Sequence, residues 1–140
     1  MADSTIILDT GPLVALLDRD EAHHRWAAAQ FAALGPPLLT CDAVLSEASF
    51  VLHRAGLDSS LPVELMARGV IEIASPLSSL DDASSVRNLM RRYRNVPMSF
   101  ADACLVRLVE RTENGSILTL DSDFRIYRQA NRRVIPLLIP

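Results

Sequence analysis

Apolar residues along this chain fall in short blocks that switch between a continuous run and a helical spacing, and that alternation predicts an ordered series of strands and helices. Ser4 to Leu8 reads as a buried strand, because apolar or β-branched residues run without interruption into Asp9. Thr10, Gly11 and Pro12 break the run, and Leu13 to Leu17 resumes with helical spacing, with Pro12 suited to a first turn. Asp18 to Glu21 interrupts, and His23 to Leu34 predicts an Ala-rich helix packed through Trp26 and Phe31, ended by Gly35, Pro36 and Pro37. Leu38 and Leu39 form a short strand. Asp42 is expected to cap a helix over Ala43 to His53, with Val44, Leu45, Ala48, Val51 and Leu52 inward. After Gly56 the pattern predicts a helix from Asp58 to Arg68 with Pro62 in its first turn, then a strand over Val70 to Ala74. An Arg-faced helix runs from Ser78 or Ser79 to Arg92, and Ser99 caps the clearest helix, to Arg111. Asn114 and Gly115 close it before a strand over Ser116 to Leu120. Asp121 to Phe124 reads as a turn, Arg125 to Ala130 as a short helical piece, and Val134 to Ile139, with its internal proline, as an edge strand. Strands alternating with helices define an α/β fold with a mostly parallel sheet covered on both faces. There is no internal repeat.

Four of these apolar blocks end in or carry a carboxylate: Asp9 after the first strand, Glu47 in LSEAS, Asp102 in SFADAC, and Asp121 with Asp123 in TLDSDF. A buried carboxylate is costly unless something positive pairs with it. In open α/β sheets the active crevice lies beyond the carboxyl ends of the strands. Asp9 and Asp121 both follow strands, so a parallel sheet brings them to one edge. Asp102, in a first helical turn, and Glu47, three residues after Val44 and four before Val51, are free to lean over that edge. Oxygen donors of this kind select Mg²⁺ or Mn²⁺ over zinc. Each acid also has a local explanation. Asp102 completes a capping box with Ser99, and Asp121 and Asp123 are turn formers. Asp9 gains little from local capping, and Glu47 sits among apolar neighbours.

Composition adjusts this picture without changing it. With 140 residues and 49% hydrophobic content the chain supports one compact domain. Its net charge of −3 argues at first against nucleic acid, but setting aside the five acids above leaves 12 of 17 acidic residues against 14 basic ones. Every basic residue is Arg, concentrated at Arg87, Arg91, Arg92 and Arg94 and again at Arg125, Arg128, Arg132 and Arg133. Arg suits bidentate phosphate contact, and a solvated helix face explains the same residues. Arg87, Arg91, Arg92, Arg94 and Arg128 are the candidate phosphate contacts. Cys41 and Cys104 have neither zinc nor disulfide-framework spacing and read as buried thiols. His23 and His24 lack ligand spacing, and no GxGxxG, Walker loop or GxSxG occurs. Apolar runs fall far short of the roughly 18 residues of a membrane span, and Met1 to Thr5 carries no basic leader, so a cytoplasmic location is expected.

In this order, LDTGPLVALLDRDEAHH, LSEASFVLHR, SFADACLVRLVE and LTLDSDF resemble the PIN-domain ribonucleases, most closely the toxin subunits (VapC) of VapBC toxin–antitoxin pairs, over essentially the whole chain. The resemblance implies a PIN-like three-layer fold with a four- or five-stranded parallel sheet. It implies an acidic site of Asp9, Glu47, Asp102 and Asp121, with Asp123 supplementary. Thr10 and Thr119 match small hydroxyl residues beside the acids, and Ser46 and Ser99 are expected to donate hydrogen bonds behind them. Asp18, Asp20 and His23 fall where such toxins often carry similar residues, and no catalytic role is transferred to them. The implied activity is Mg²⁺- or Mn²⁺-dependent hydrolysis of RNA, leaving 5′-phosphate and 3′-hydroxyl ends. Asp9, Asp102 and Asp121 are the most direct ligands, Glu47 is a ligand or positions water, and one ion and two both remain open. The implied partners are RNA, a cognate antitoxin over the acidic groove and a second copy of the chain, with dimer surfaces sought around Trp26 to Leu34 and Leu57 to Met66. Two other readings compete: an acidic-site nuclease or phosphatase acting on another phosphoester, and a non-catalytic PIN-like module that binds RNA or protein.

Overall fold

The computed structural model describes residues 4–140, so Met1 to Asp3, part of the leader argument, lie outside the described residues. Five strands form one sheet in the order β3-β2-β1-β4-β5, and every pairing is parallel. They are β1 (Thr5–Leu8), β2 (Leu38–Thr40), β3 (Ile71–Ile73), β4 (Gly115–Leu118) and β5 (Leu137–Leu138). The chain crosses from β1 through α1 (Thr10–Leu17) and α2 (His24–Ala33) to β2, then through α3 (Asp42–Arg54) and α4 (Leu61–Ala67) to β3. It returns by α5 (Leu80–Arg92) and α6 (Phe100–Glu110) to the other side of β1. The reversal of strand order falls between β1 and β4, and the ends of these strands open the crevice that an α/β sheet offers to a ligand. Their register is tight, with Ile7 opposite Ile117 and Leu8 opposite Leu118, all four fully buried. Gly115 packs closely beside that pairing, since a Cβ there would stand 3.3 Å from the terminal methyl of Ile7.

Helix termini follow the local chemistry with three corrections. Cys41 occupies the N-cap of α3, and Asp42 is its first helical residue, an acid favourably placed at the positive end. The helix after Gly56 begins at Leu61 instead of Asp58, because the Asp58 carboxylate accepts bonds from the Ser60 N–H and hydroxyl and closes a turn of its own. Pro62 then sits in the first turn of α4, where its missing N–H costs nothing. Arg125 to Ala130 forms no helix. A 3-10 turn spans Ser122–Arg125 and another Ala130–Arg132, and between them Tyr127 is driven into the core. Asn114 takes a left-handed φ of 54° between α6 and β4. Both cysteines are free and buried.

Two polar contacts matter for rigidity. His24 Nδ1 lies 2.7 Å from the Ala15 carbonyl, tying α2 to α1 while His23 faces solvent. Between α5 and α6, the buried Asp82 carboxylate accepts from Arg107 Nε and Arg111 Nη1, each at 2.9 Å, and from the Ser78 hydroxyl and N–H. Burial alone would raise the Asp82 pKa, but the Arg107 and Ser78 bonds and the Arg111 charge outweigh it and hold the carboxyl below its ordinary value.

Candidate acidic site

Asp9 caps the first turn of α1 directly after β1: its Oδ1 accepts the Thr10 N–H at 2.8 Å and its Oδ2 accepts the Thr119 hydroxyl at 2.7 Å. Thr119 follows β4, is fully buried, and its own oxygen accepts the Asp121 N–H at 2.9 Å. One hydroxyl thus joins the ends of the two central strands and fixes two acids 112 positions apart in sequence. Asp121 in turn caps the following 3-10 turn through the Asp123 N–H. The turn reading of Asp121 is correct, and it leaves the side chain at the crevice. The same holds for Asp102. The Ser99 hydroxyl accepts the Asp102 N–H at 3.0 Å, as a helix cap should, while Asp102 Oδ2 accepts the Tyr127 hydroxyl at 2.9 Å.

These elements bring Asp9, Thr10, Glu47, Asp102 and Asp121 to one cavity of about 470 Å³, together with Gly11, Val51 and Leu120. Gly11 is closely packed there: a Cβ would lie 3.3 Å from the Leu120 side chain that forms part of the wall, and that side chain would have to give way. Glu21, from the turn between α1 and α2, supplies a fifth carboxylate that sequence reasoning did not single out. Among the described residues no basic side chain lines the cavity. Glu47 lines the cavity from α3, is exposed, and is not part of the buried face on which Val44 and Ala48 lie. Asp123 is half-buried and outside the lining. Ser46 is exposed and, among the described residues, donates to none of the acids.

The electrostatics of the cavity are those of uncompensated negative charge. Desolvation pushes the Asp9 carboxyl up to about 7, against the lowering effect of the Thr119 and Thr10 bonds, and the charges of Asp102 and Asp121 push it the same way. Asp102 is raised by burial and by Asp121, opposed by its bonds to Tyr127 and Ser99. The donors are all hard oxygens, the set that fits Mg²⁺ or Mn²⁺. Among the described residues no three acids, histidines or cysteines converge closely enough to hold one ion, so joint ligation requires the side chains to turn inward. A cavity of this size, many times a water's share of liquid volume, leaves room for a cation that keeps most of its own waters.

Tyr127 is the positioning residue that the sequence did not disclose. Its ring is fully buried edge-on to Tyr93 and Phe124, with centroids 5.2 Å away in each case, which aims its hydroxyl at Asp102. Burial and the Asp102 carboxylate keep that hydroxyl protonated and hence a donor.

A parallel sheet between helices thus carries carboxylates at its switch point, and comparison with known families is specific. The PIN domain family model matches residues 6–129, and the chain belongs to the PIN domain family. Its fold closely resembles that of VapC-type toxins of toxin–antitoxin systems. The Mycobacterium tuberculosis VapC20 crystal structure, a sarcin-ricin loop cleaving toxin, superposes with a TM-score of 0.75 at 21% identity, covering 85% of this chain and 92% of that one. A toxin–antitoxin complex from Klebsiella pneumoniae gives 0.62 at 18% identity, covering 86% and 90%. None of the curated proteins matches. Among the described residues no helix is long and apolar enough to cross a membrane.

Proposed function

We propose that the protein is a divalent-cation-dependent ribonuclease of the toxin type, hydrolysing RNA phosphodiester bonds at the cavity beyond β1 and β4. The observation that carries this reading is the gathering of Asp9, Glu47, Asp102 and Asp121, from four separate elements, around one cavity with no basic residue in its lining. Such a cavity repels a phosphodiester by itself and accepts one only when a cation intervenes. Asp9, Asp102 and Asp121 would hold Mg²⁺ or Mn²⁺, with Glu47 from α3 as a further ligand or water-positioner and Asp123 as a supplementary acid. The cation supplies charge neutralisation and activation of the attacking water. The chain's own part is orientation: Thr119 fixes Asp9, Tyr127 and Ser99 fix Asp102, and the Asp123 N–H fixes Asp121. Glu47, exposed in the cavity lining, would serve as a ligand or position water.

An antitoxin would silence this site by presenting a basic side chain to the same carboxylates. For a second copy of the chain, α3, α4 and the turn between them offer exposed apolar side chains at Phe50, Leu57, Val63 and Met66, whereas Trp26, Phe31 and Leu34 pack against the core. The test is cleavage of a mixed cellular RNA pool with and without Mn²⁺ or Mg²⁺, beside Asp9→Asn and Asp102→Asn proteins shown by circular dichroism to be folded. Metal-dependent cleavage with 5′-phosphate ends, lost in both variants, is the expected result. A folded, antitoxin-free protein that cuts no RNA would favour the binding-module reading.

A further inference from the structure

A cavity walled by five carboxylates cannot itself supply the affinity for a polyanion, so a substrate strand must be gripped elsewhere. Most of the arginines with known partners are already committed. Arg107 and Arg111 clamp Asp82, Arg68 pairs with Glu64, and Arg128 gives Nη1 to the carbonyls of Arg125, Ile126 and Tyr127. Arg87, Arg91 and Arg94 are held only by neutral groups: Arg87 Nε donates to the Asn88 side-chain oxygen at 3.3 Å and Arg94 Nη1 to the Arg91 carbonyl at 3.0 Å, and among the described residues none of the three reaches a carboxylate. Arg87 and Arg91 stand one turn apart on α5, with Arg94 just beyond its end, and all three border a trough of about 490 Å³. The trough is lined with Leu77, Val86 and Met90, and closed by Phe100, whose ring is 45% exposed. Phe100 belongs to the same first turn of α6 that presents Asp102 to the acidic cavity. The two depressions therefore share that turn as a wall.

We propose that this trough is the docking site of single-stranded nucleic acid flanking the bond to be cut: an unpaired base stacks on Phe100 over the apolar floor while Arg87, Arg91 and Arg94 meet the adjoining phosphates. The inference rests on the ribonuclease reading for its direction along the strand. An aromatic platform beside arginines whose charge no carboxylate neutralises is the combination that binds single strands without reading their sequence. It also divides the arginine clusters. Arg92 and Arg128 border a different depression with Tyr93, Asn131 and Arg132, away from the Phe100 side of α5.

The test is fluorescence polarisation of a labelled short single-stranded RNA of mixed sequence with the full chain in EDTA, so that binding is read without cleavage. Phe100→Ala should weaken binding about 5- to 140-fold, the range of one lost stacking contact. Replacing Arg87, Arg91 and Arg94 together by Gln should lower the slope of log affinity against log salt by about 2, at roughly 0.7 per phosphate contact. A charge-matched triple, Arg25, Arg132 and Arg133 to Gln, should leave the slope unchanged. Equal RNA binding by wild type, Phe100→Ala and the Arg87/Arg91/Arg94 triple would overturn the proposal. So would sedimentation showing that Phe100→Ala splits a dimer while RNA affinity per chain is retained, since a second copy would then own the trough. Cleavage in Mn²⁺ separates the two readings: trough-dependent binding by a protein that never cuts removes the ribonuclease reading and keeps the trough, and cutting with unaltered KM in the trough variants does the reverse.

Discussion

Thr119 carries more of the site than its size suggests. Its hydroxyl donates to Asp9 and accepts from the Asp121 backbone, so a single oxygen couples the ends of β1 and β4. Thr119→Val keeps the shape and deletes both bonds. It leaves a desolvated carboxylate without one of its two donors, which should lower unfolding stability by about 1–3 kcal/mol and raise the Asp9 pKa further. Thr119→Ser should restore most of the loss, and urea unfolding of the pair checks this; equal midpoints for the Val and Ser proteins would remove Thr119 from its coupling role. Asp9, Asp102 and Asp121 were legible in the sequence because each interrupts an apolar block. Tyr127 and Glu21 were not. The Tyr127 bond to Asp102 spans 25 residues and exists only because the segment after the 3-10 turn folds back under α6. Glu21 sits in a polar turn where an acid calls for no explanation. Tyr127→Phe should therefore reduce cleavage by freeing the Asp102 carboxylate, with less effect on RNA binding, and comparing kcat with KM reads the difference.

At the scale of elements, periodicity located the five strands and six helices, and local hydrogen bonding decided where they begin and end. Arg125 to Ala130 has helical spacing on paper, yet the carbonyls of Arg125, Ile126 and Tyr127 are satisfied by the Arg128 guanidinium, so the segment has no need of a helix to pair them. The α5–α6 contact shows the converse limit. The sequence presented α5 as an arginine-faced helix, but its anchor is Asp82, one of two adjacent acids in the first turn, and only the fold shows which one is buried. Asp81 remains largely in water and touches Arg107 at 3.3 Å, a weak exposed contact. Asp82→Ala should consequently depress the melting temperature far more than Asp81→Ala, because it strands the half-buried Arg107 and the Ser78 N–H. Since α6 carries Asp102, the same substitution should also lower affinity for Mn²⁺, and equal melting temperatures for the two alanine proteins would sink the clamp.

For the molecule as a whole, two carboxylates with opposite pKa shifts set opposite limbs of its pH–stability curve. The Asp82 pKa is lowered by folding, so its contribution is present above the unfolded value near 3.9 and is lost as pH falls through the lower folded value. Asp9 is raised from 3.8 to about 7. Between those values the native state keeps a proton that the unfolded chain has released, so stability falls with rising pH, and above about 7 the full penalty persists. A shift of that size corresponds to a loss on the order of 4 kcal/mol for Asp9 alone. Asp102, also raised, adds to the same limb. Metal-free protein should therefore be most stable in mildly acidic solution and weaken toward pH 8. Urea midpoints between pH 3 and 9 test this: Asp9→Asn should flatten the alkaline limb and spare the acid limb, and Asp82→Asn should do the opposite. A cation bound by the ionised carboxylates stabilises the native state by RT ln(1 + [L]/Kd), about 2.7 kcal/mol at a hundredfold excess over Kd. Saturating Mn²⁺ should accordingly recover much of the wild-type loss at pH 8 and none in Asp9→Asn. An alkaline limb that is already flat in the wild type would mean that the cavity holds its carboxylates at no cost, and the case for a cation there would lose its physical basis.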